Sequence, residues 1–117
     1  MQISHKHFQN QYGESINHPD TWDFIANELM MHGSIVVGWS DERFTRYTLL
    51  FSLPRPLFSR RAELFVTISG YGTVAIPRDF REPITADTVE QYFGVGENSQ
   101  AAEKLAELLE EVLKRLG

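Results

Sequence analysis

The segment from Ser34 to Pro77 constrains the fold most, because it reads as four consecutive β-strands with helix patterns on both sides. Apolar residues alternate with other residues along each strand, which is typical of a sheet with one face on a core. The connections are short, so sequential strands are expected to pair antiparallel as a meander. The predicted strands are Ser34–Ser40, Arg43–Leu53, Ala62–Ser69 and Thr73–Pro77, with twelve inward residues: Ile35, Val37, Trp39, Tyr47, Leu49, Phe51, Leu53, Leu64, Val66, Ile68, Val74 and Ile76.

A first helix is predicted over residues 19–32. Pro19 suits the first turn because its missing N–H would have no helical partner there, and Gly33 suits the position just beyond the last turn. Apolar residues at spacing i, i+3, i+4, i+7 and i+8 form one stripe. This stripe predicts burial of Trp22, Ile25, Ala26, Leu29 and Met30.

Two C-terminal helices are predicted over residues 85–116. Thr85 is the expected N-cap of a short helix that ends at Phe93, with Gly94 after it. Asn98 or Ser99 is the expected cap of a final helix. That helix runs to about Leu116 and carries a wide apolar band and the favourable i, i+4 pairs Glu110–Lys114 and Glu111–Arg115.

Together these elements predict an α+β fold in the order α-β-β-β-β-α-α, a four-stranded antiparallel meander with helices packed on one face. A chain of 117 residues is the size of one domain, so residues 1–117 are treated as one. Residues 1–17 lack sustained periodicity and are interpreted as an N-terminal arm.

The composition excludes several classes of function. The chain has no cysteine, so it has no disulfide, thiolate nucleophile or cysteine-based metal site. No signal peptide and no long apolar run is visible, which predicts a cytoplasmic protein that does not cross a membrane. The net charge of −5 disfavours a general nucleic-acid or anionic-membrane binder.

The charges are unevenly distributed along the chain. Residues 41–81 hold seven of the eight arginines, whereas residues 82–117 hold eight acidic residues and three basic ones. Two interpretations stay open. The two regions neutralise each other within the fold, or a basic sheet surface receives an acidic partner.

The outward face of the predicted meander is not purely polar. Apolar residues alternate there with Arg46, Thr48 and Thr67, which implies that this second face is also covered. Either the N-terminal arm or a terminal helix covers it, or it is a contact surface for a partner or for a second copy. The outward set and the leucine-rich final helix predict a homodimer; the outward apolar residues are Val36, Phe44, Leu50 and Phe65.

The segment from Pro54 to Arg61 is the second candidate contact. Its two prolines exclude a central strand, and its apolar residues Leu57 and Phe58 sit among arginines in a connection that should run over the surface. Either they fold back to seal the core, or they form a binding hot spot. The predicted partner-binding residues are Phe44, Arg46, Leu50, Arg55, Leu57, Phe58, Arg60, Arg61 and Phe65.

Catalytic and cofactor motifs are not apparent in the sequence. The four histidines lack structural metal-ligand spacing, and Gly94-Val95-Gly96 lacks the βαβ context of a dinucleotide site. The segment 85–105 superficially resembles a helix-turn-helix, but its second helix offers glutamates where phosphate contacts need cations. We therefore expect no catalytic residue, metal or cofactor. The expected function is a non-enzymatic protein-interaction module of adaptor, chaperone-like, immunity or inhibitor type; the alternative is nucleic-acid or phosphate-ligand binding through the arginine-rich sheet and loop.

Overall fold

The computed structural model describes residues 19–40, 46–54, 63–78, 80, 82–95 and 99–116. Within these residues, three helices and one four-stranded antiparallel sheet follow in the predicted α+β order. The predicted N-terminal arm and the predicted strand starts at Arg43 and Ala62 lie outside the described residues. The elements are α1 (Pro19–His32), β1 (Ser34–Ser40), β2 (Arg46–Ser52), β3 (Glu63–Ile68), β4 (Gly72–Pro77), α2 (Ala86–Phe93) and α3 (Ser99–Leu116).

The sheet is a simple meander with the strand order β1-β2-β3-β4. The predicted inward residues are cross-strand neighbours in this register. Val37 pairs with Leu49, Leu49 with Ile68, and Val66 with Val74. Eleven of the twelve predicted inward residues are buried, and Val74 is half-buried against the core. The period-two pattern therefore predicted the inner face correctly.

The described helices cover this inner face. α1 packs on α3 and on β1, and α2 packs on α3 and β4. The apolar band of α3 is buried in this packing. Its leucines and its valine are all buried: Leu105, Leu108, Leu109, Val112, Leu113 and Leu116. These side chains hold the domain together and leave no apolar face of α3 for a helix-mediated dimer.

Glycines and a capping threonine set the helix ends as predicted. Gly33 has φ 84° and its N–H donates to the Leu29 carbonyl at 2.9 Å, which ends α1. The Gly33 carbonyl then accepts the Leu53 N–H at 2.8 Å, joining the start of β1 to the end of β2. Thr85 caps α2 in a reciprocal capping box with Thr88, and Gly94 ends that helix with φ 71°.

Two side-chain predictions are wrong. Met30 is 49% exposed, because Leu29, Ile25 and Ala26 already fill the narrow stripe that faces the core. Lys114 bonds to Glu111 at 3.2 Å rather than to Glu110. Arg115 Nη1 also lies 3.0 Å from Glu111 Oε1, so one carboxylate pairs with both cations.

Candidate contact face of the sheet

The four strands present an outer face on the side away from the described helices. The strand register fixes which side chains are neighbours on it, because alternate residues of every strand point outward. Two adjacent rows cross the sheet at its centre. They are Val36–Leu50–Thr67–Thr73 and Ser34–Ser52–Phe65–Ala75.

Four apolar side chains form a contiguous group in these rows, which we call the sheet patch: Val36, Leu50, Phe65 and Ala75. Val36 pairs directly with Leu50, and Phe65 pairs with Ala75. Leu50 is 39% exposed and Ala75 is exposed, whereas Val36 and Phe65 are half-buried. None of the described helices covers the apolar centre of this face, so the expectation that a terminal helix covers it is wrong for the described helices. The other predicted cover, the N-terminal arm, lies outside the described residues.

Neutral hydroxyl groups surround the sheet patch. Thr67 and Thr73 face each other across β3 and β4 with their Oγ1 atoms 2.8 Å apart. Thr48 and Ser52 flank Leu50 on β2. The two central rows of the described outer face are therefore apolar and neutral, and they contain no charged side chain.

Charges lie only at the two ends of the outer face within the described strands. Arg46 opens β2, opposite Ser40 of β1, and is exposed. Glu63 opens β3, opposite Pro77 of β4, and is also exposed. Among the described residues, neither side chain forms an ion pair.

The structure brings together three of the predicted partner-binding residues on this face. Leu50 lies at the middle of β2, Phe65 is its diagonal neighbour on β3, and Arg46 lies four residues along β2 from Leu50. Ala75, which also lies on this face, is not among the predicted residues, although its alternation with buried Ile76 indicates an outward side chain. The other predicted contact residues lie outside the described residues: Phe44, Arg55, Leu57, Phe58, Arg60 and Arg61.

The helix layer on the opposite side is acidic. Its three described helices carry nine acidic residues against three lysines and arginines. Part of this charge is paired internally, because Arg115 Nε lies 2.6 Å from Asp23 Oδ1 of α1. The Arg115 guanidinium also stacks over the Trp22 ring, 5.1 Å from its centroid.

These contacts shift the pKa values of Glu111 and Arg115. Hydrogen bonds from Arg115 and Lys114 lower the pKa of Glu111 below its ordinary value, although partial burial opposes the shift. The Asp23 and Glu111 carboxylates raise the pKa of Arg115. This cluster joins α1 to α3, so its perturbed groups have a structural explanation.

Buried aromatic residues stiffen the end of the sheet that carries Arg46. Trp39 stacks on its cross-strand neighbour Tyr47, with ring centroids 5.1 Å apart, and Tyr47 meets Tyr71 at 6.2 Å. Lys104 Nζ lies 5.8 Å from the Trp39 ring. Trp39 and Tyr47 are buried, so they support the face from beneath rather than offer a stacking platform for bases.

Two other kinds of feature are absent from the described residues. Across the described residues, no three His, Asp or Glu side chains are placed to hold a metal ion. Nor does any helix in the described part of the chain combine the length and apolar character needed to cross a bilayer.

Comparisons with known proteins gave no relative from which a role could be transferred. No protein-family model, curated protein or solved structure matches the chain.

Proposed function

We propose that this protein is a non-enzymatic protein-interaction module that binds its partner through the outer face of the sheet. The observation that carries the proposal is the sheet patch, in which Leu50 is 39% exposed at the centre of a face with no charge in its two central rows. Fully burying a leucine is worth about 1.5–3 kcal/mol, so burying the 39% that Leu50 still exposes contributes roughly 1 kcal/mol to a contact.

The size of the face indicates that the contact extends beyond it. The four strands are six or seven residues long. At about 4.8 Å between strands and about 3.3 Å per residue, they cover roughly 400 Å² in plan. A stable interface uses about 800 Å² on each partner. We propose that residues adjacent to β2 in sequence supply the remainder; they are Phe44 before it and Arg55, Leu57, Phe58, Arg60 and Arg61 after it.

A pair of variants tests the role of the face. Leu50→Glu places a charge at the centre of the sheet patch, and Gln100→Glu places the same residue at an exposed site on α3. Each variant is used as bait in cells, and its melting temperature is measured in parallel. We expect Leu50→Glu to lose a partner that wild type and Gln100→Glu both retain, with all three melting alike. Full retention of every partner by Leu50→Glu contradicts the proposal.

The segment from 55 to 61 has its own test. In the variant Leu57→Ser/Phe58→Ser, a recognition role predicts near-normal melting and weakened partner capture. A core-sealing role predicts a clear drop in melting temperature with capture intact. If the variant melts normally and keeps its partner, the segment has neither the recognition role nor the core-sealing role.

Nucleic-acid binding is the alternative function, and its detection would contradict the proposal. Across the described strands the outer face carries a single cation, Arg46, and its most exposed large side chain is Leu50 rather than an aromatic ring. Single-strand platforms combine several cations with stacked aromatic residues. We expect no retention on heparin or oligonucleotides at physiological salt. Salt-dependent binding that is lost on removing Arg55, Arg60 and Arg61 would favour the alternative.

A further inference from the structure

We propose that the free edge of β4 pairs with β4 of a second copy of this chain, forming an eight-stranded antiparallel sheet about a two-fold axis at Val74. This inference goes beyond the proposed function, because it concerns the main-chain edge of the sheet rather than the side chains of its outer face. It is carried by the hydrogen-bonding groups that β4 leaves unpaired and by their arrangement about Val74.

The hydrogen bonds of the sheet determine which main-chain groups of β4 point away from it. Paired residues of antiparallel strands alternate between hydrogen-bonded and non-hydrogen-bonded positions. The Ser69 N–H donates to the Thr48 carbonyl at 3.0 Å, in line with the β2–β3 register, so Ser69 and every second residue before it bond to β2. The intervening residues of β3 bond to β4, and the central pair among them is Val66 with Val74. The main-chain groups of the residues on either side of Val74 therefore point to the free edge.

Thr73 and Ala75 are these two neighbours of Val74, and both are exposed. Among the described residues, neither has a main-chain hydrogen bond to a turn, a loop or a helix end. The free edge of β4 thus presents two N–H donors and two carbonyl acceptors, arranged symmetrically about Val74.

The main-chain groups at the two ends of this edge are already used. The Tyr71 N–H donates to the Ile68 carbonyl at 2.8 Å, before β4 begins. Pro77 has no N–H, and its carbonyl accepts the Phe80 N–H at 3.1 Å. A partner strand therefore finds its hydrogen bonds at the two residues beside Val74 and gains none beyond them.

This short edge is complementary to itself. When two copies of β4 run antiparallel about a two-fold axis at Val74, Thr73 of each copy lies opposite Ala75 of the other. Each of these two pairs exchanges two main-chain hydrogen bonds, so four bonds satisfy all the free groups. Val74 meets its own copy at the axis in a non-hydrogen-bonded pair, where cross-strand side chains lie closest.

The sheet favours pairing at β4 over pairing at its other edge, β1. Edge strands are commonly protected by charged side chains, bulges or prolines, whereas β4 carries no charge and its proline stands at its last position. In β1, the bond from the Leu53 N–H to the Gly33 carbonyl fixes the alternation, and the residues with outward main-chain groups are buried or half-buried. Those residues are Ser34, Val36, Gly38 and Ser40.

The charges at the ends of β4 do not meet each other in this dimer. Residues 60–63 and 78–82 lie at the Pro77 end and carry four arginines and three acids. The antiparallel register places that end against the other copy's turn at residues 69–71, which is uncharged. On the helix side, α2 packs on β4 and carries exposed Asp87 and Glu90 in both copies. Salt screens this repulsion, so we expect the dimer to tighten as ionic strength rises.

The size of the edge sets the expected strength of the dimer. β4 has six residues. At about 3.3 Å per residue it is roughly 20 Å long, and a sheet with one helix layer is roughly 20 Å thick, so each copy presents roughly 400 Å². A stable interface uses about 800 Å² on each partner. We therefore expect a weak dimer that forms at high micromolar concentration.

Ala75→Pro tests the main-chain hydrogen bonds. Proline removes the outward N–H of residue 75 and breaks no bond within the sheet, because this N–H faces the free edge. Ala75→Ser keeps the N–H and is the matched control. In sedimentation velocity, we expect Ala75→Pro to raise the dimer dissociation constant by roughly tenfold or more, while Ala75→Ser behaves as wild type. An Ala75→Pro protein that melts normally and dimerises as wild type overturns the proposal.

A cysteine test locates the axis without a proline, because the chain has no cysteine of its own. Two copies of residue 74 lie about 4.5 Å apart between Cα atoms, within the range of a disulfide. Two copies of residue 73 lie about 8 Å apart, beyond that range. Under mild oxidation we expect a disulfide-linked dimer from Val74→Cys and none from Thr73→Cys. Equal cross-linking of the two variants, or a wild-type protein that stays monomeric at high micromolar concentration, overturns the pairing.

Leu50→Glu separates this dimer from the proposed function. Leu50 lies on β2, two strands away from the free edge of β4, so we expect Leu50→Glu to dimerise as wild type while it loses its partner. Partner loss without any dimerisation of the wild type would leave the outer-face contact standing, so the two proposals fail separately.

Discussion

Two tryptophans of this protein occupy different environments. Trp39 is 2% exposed, stacks on the Tyr47 ring and has Lys104 Nζ 5.8 Å from its ring centroid. Trp22 is 9% exposed, carries Arg115 over its ring, and its Nε1 has no hydrogen-bond partner among the described residues. The sequence predicted burial of both rings. A buried indole N–H usually has a hydrogen-bond partner, and Trp22 departs from this within the described part of the chain.

Truncating either tryptophan is expected to destabilise the fold strongly. Trp39→Ala and Trp22→Ala each remove a large buried ring, which costs about 3–5 kcal/mol of the free energy of unfolding. Trp22→Phe should cost less than half as much as Trp22→Ala, because it keeps most of the ring and removes a buried N–H that lacks a partner. Urea unfolding measures all three. A loss under about 1 kcal/mol for either alanine variant contradicts burial in a packed core.

Sequence periodicity predicts well which strand residues face the core, and it predicts less well how wide the buried stripe of a helix is. Every second residue of the strands points inward, so the inner face follows directly from the pattern. A helix stripe has no sharp edge, so Met30 was placed inside although the turn around Leu29 leaves it 49% exposed. Ala75 on the edge strand β4 does not stand out in the sequence for a different reason, since a small residue gives little hydropathy signal.

At the scale of elements, one ionic cluster fastens the end of α3 to the start of α1. Arg115 bonds to Asp23 of α1 and to Glu111 of its own helix, and Arg78 donates to the Leu116 carbonyl at the end of α3. These contacts lie next to the buried Trp22 ring. The cluster therefore positions the helix layer against which the sheet is built.

The cluster predicts a small pH dependence of stability. The pKa of Glu111 is lowered in the folded state from its ordinary value of 4.5 by hydrogen bonds from Arg115 and Lys114. A lowered folded pKa stabilises the protein above the unfolded value, and this contribution is lost as pH falls through the folded one. We expect Glu111→Gln to cost under about 1 kcal/mol at neutral pH, and the cost to shrink as pH falls below the ordinary pKa. Glu107→Gln, at an exposed site, is the matched control. A cost that grows on acidification contradicts this assignment.

The end of α2 depends on the backbone freedom of one glycine. Gly94 has φ 71°, and a Cβ added there would meet nothing within 4 Å. Any cost of Gly94→Ala therefore comes from the left-handed backbone alone, about 1–2 kcal/mol. Gly94→Asn should cost less, because asparagine tolerates this conformation. Thermal unfolding of the two variants measures the difference, and equal costs would point to another cause.

At the scale of the whole molecule, the sequence predicted the order of elements but not the state of the second sheet face. Apolar residues such as Leu50 and Phe65 predicted that both faces of the sheet are covered. The helix stripes showed only that each helix covers apolar surface, and tertiary packing decides which surface that is. The described helices cover the inner face, which leaves the sheet patch with Leu50 exposed. The arginine-rich connection remains a prediction, because residues 55–61 lie outside the described residues.

The most direct measurement of the central claim is photo-crosslinking from single positions in cells. A photo-reactive p-benzoylphenylalanine replaces Leu50 on the outer sheet face or Glu107 on the exposed side of α3. If the outer face is the contact surface, the probe at position 50 forms a defined adduct with a protein. The probe at position 107 gives none. Adducts from position 107 together with no adduct from position 50 would contradict the account.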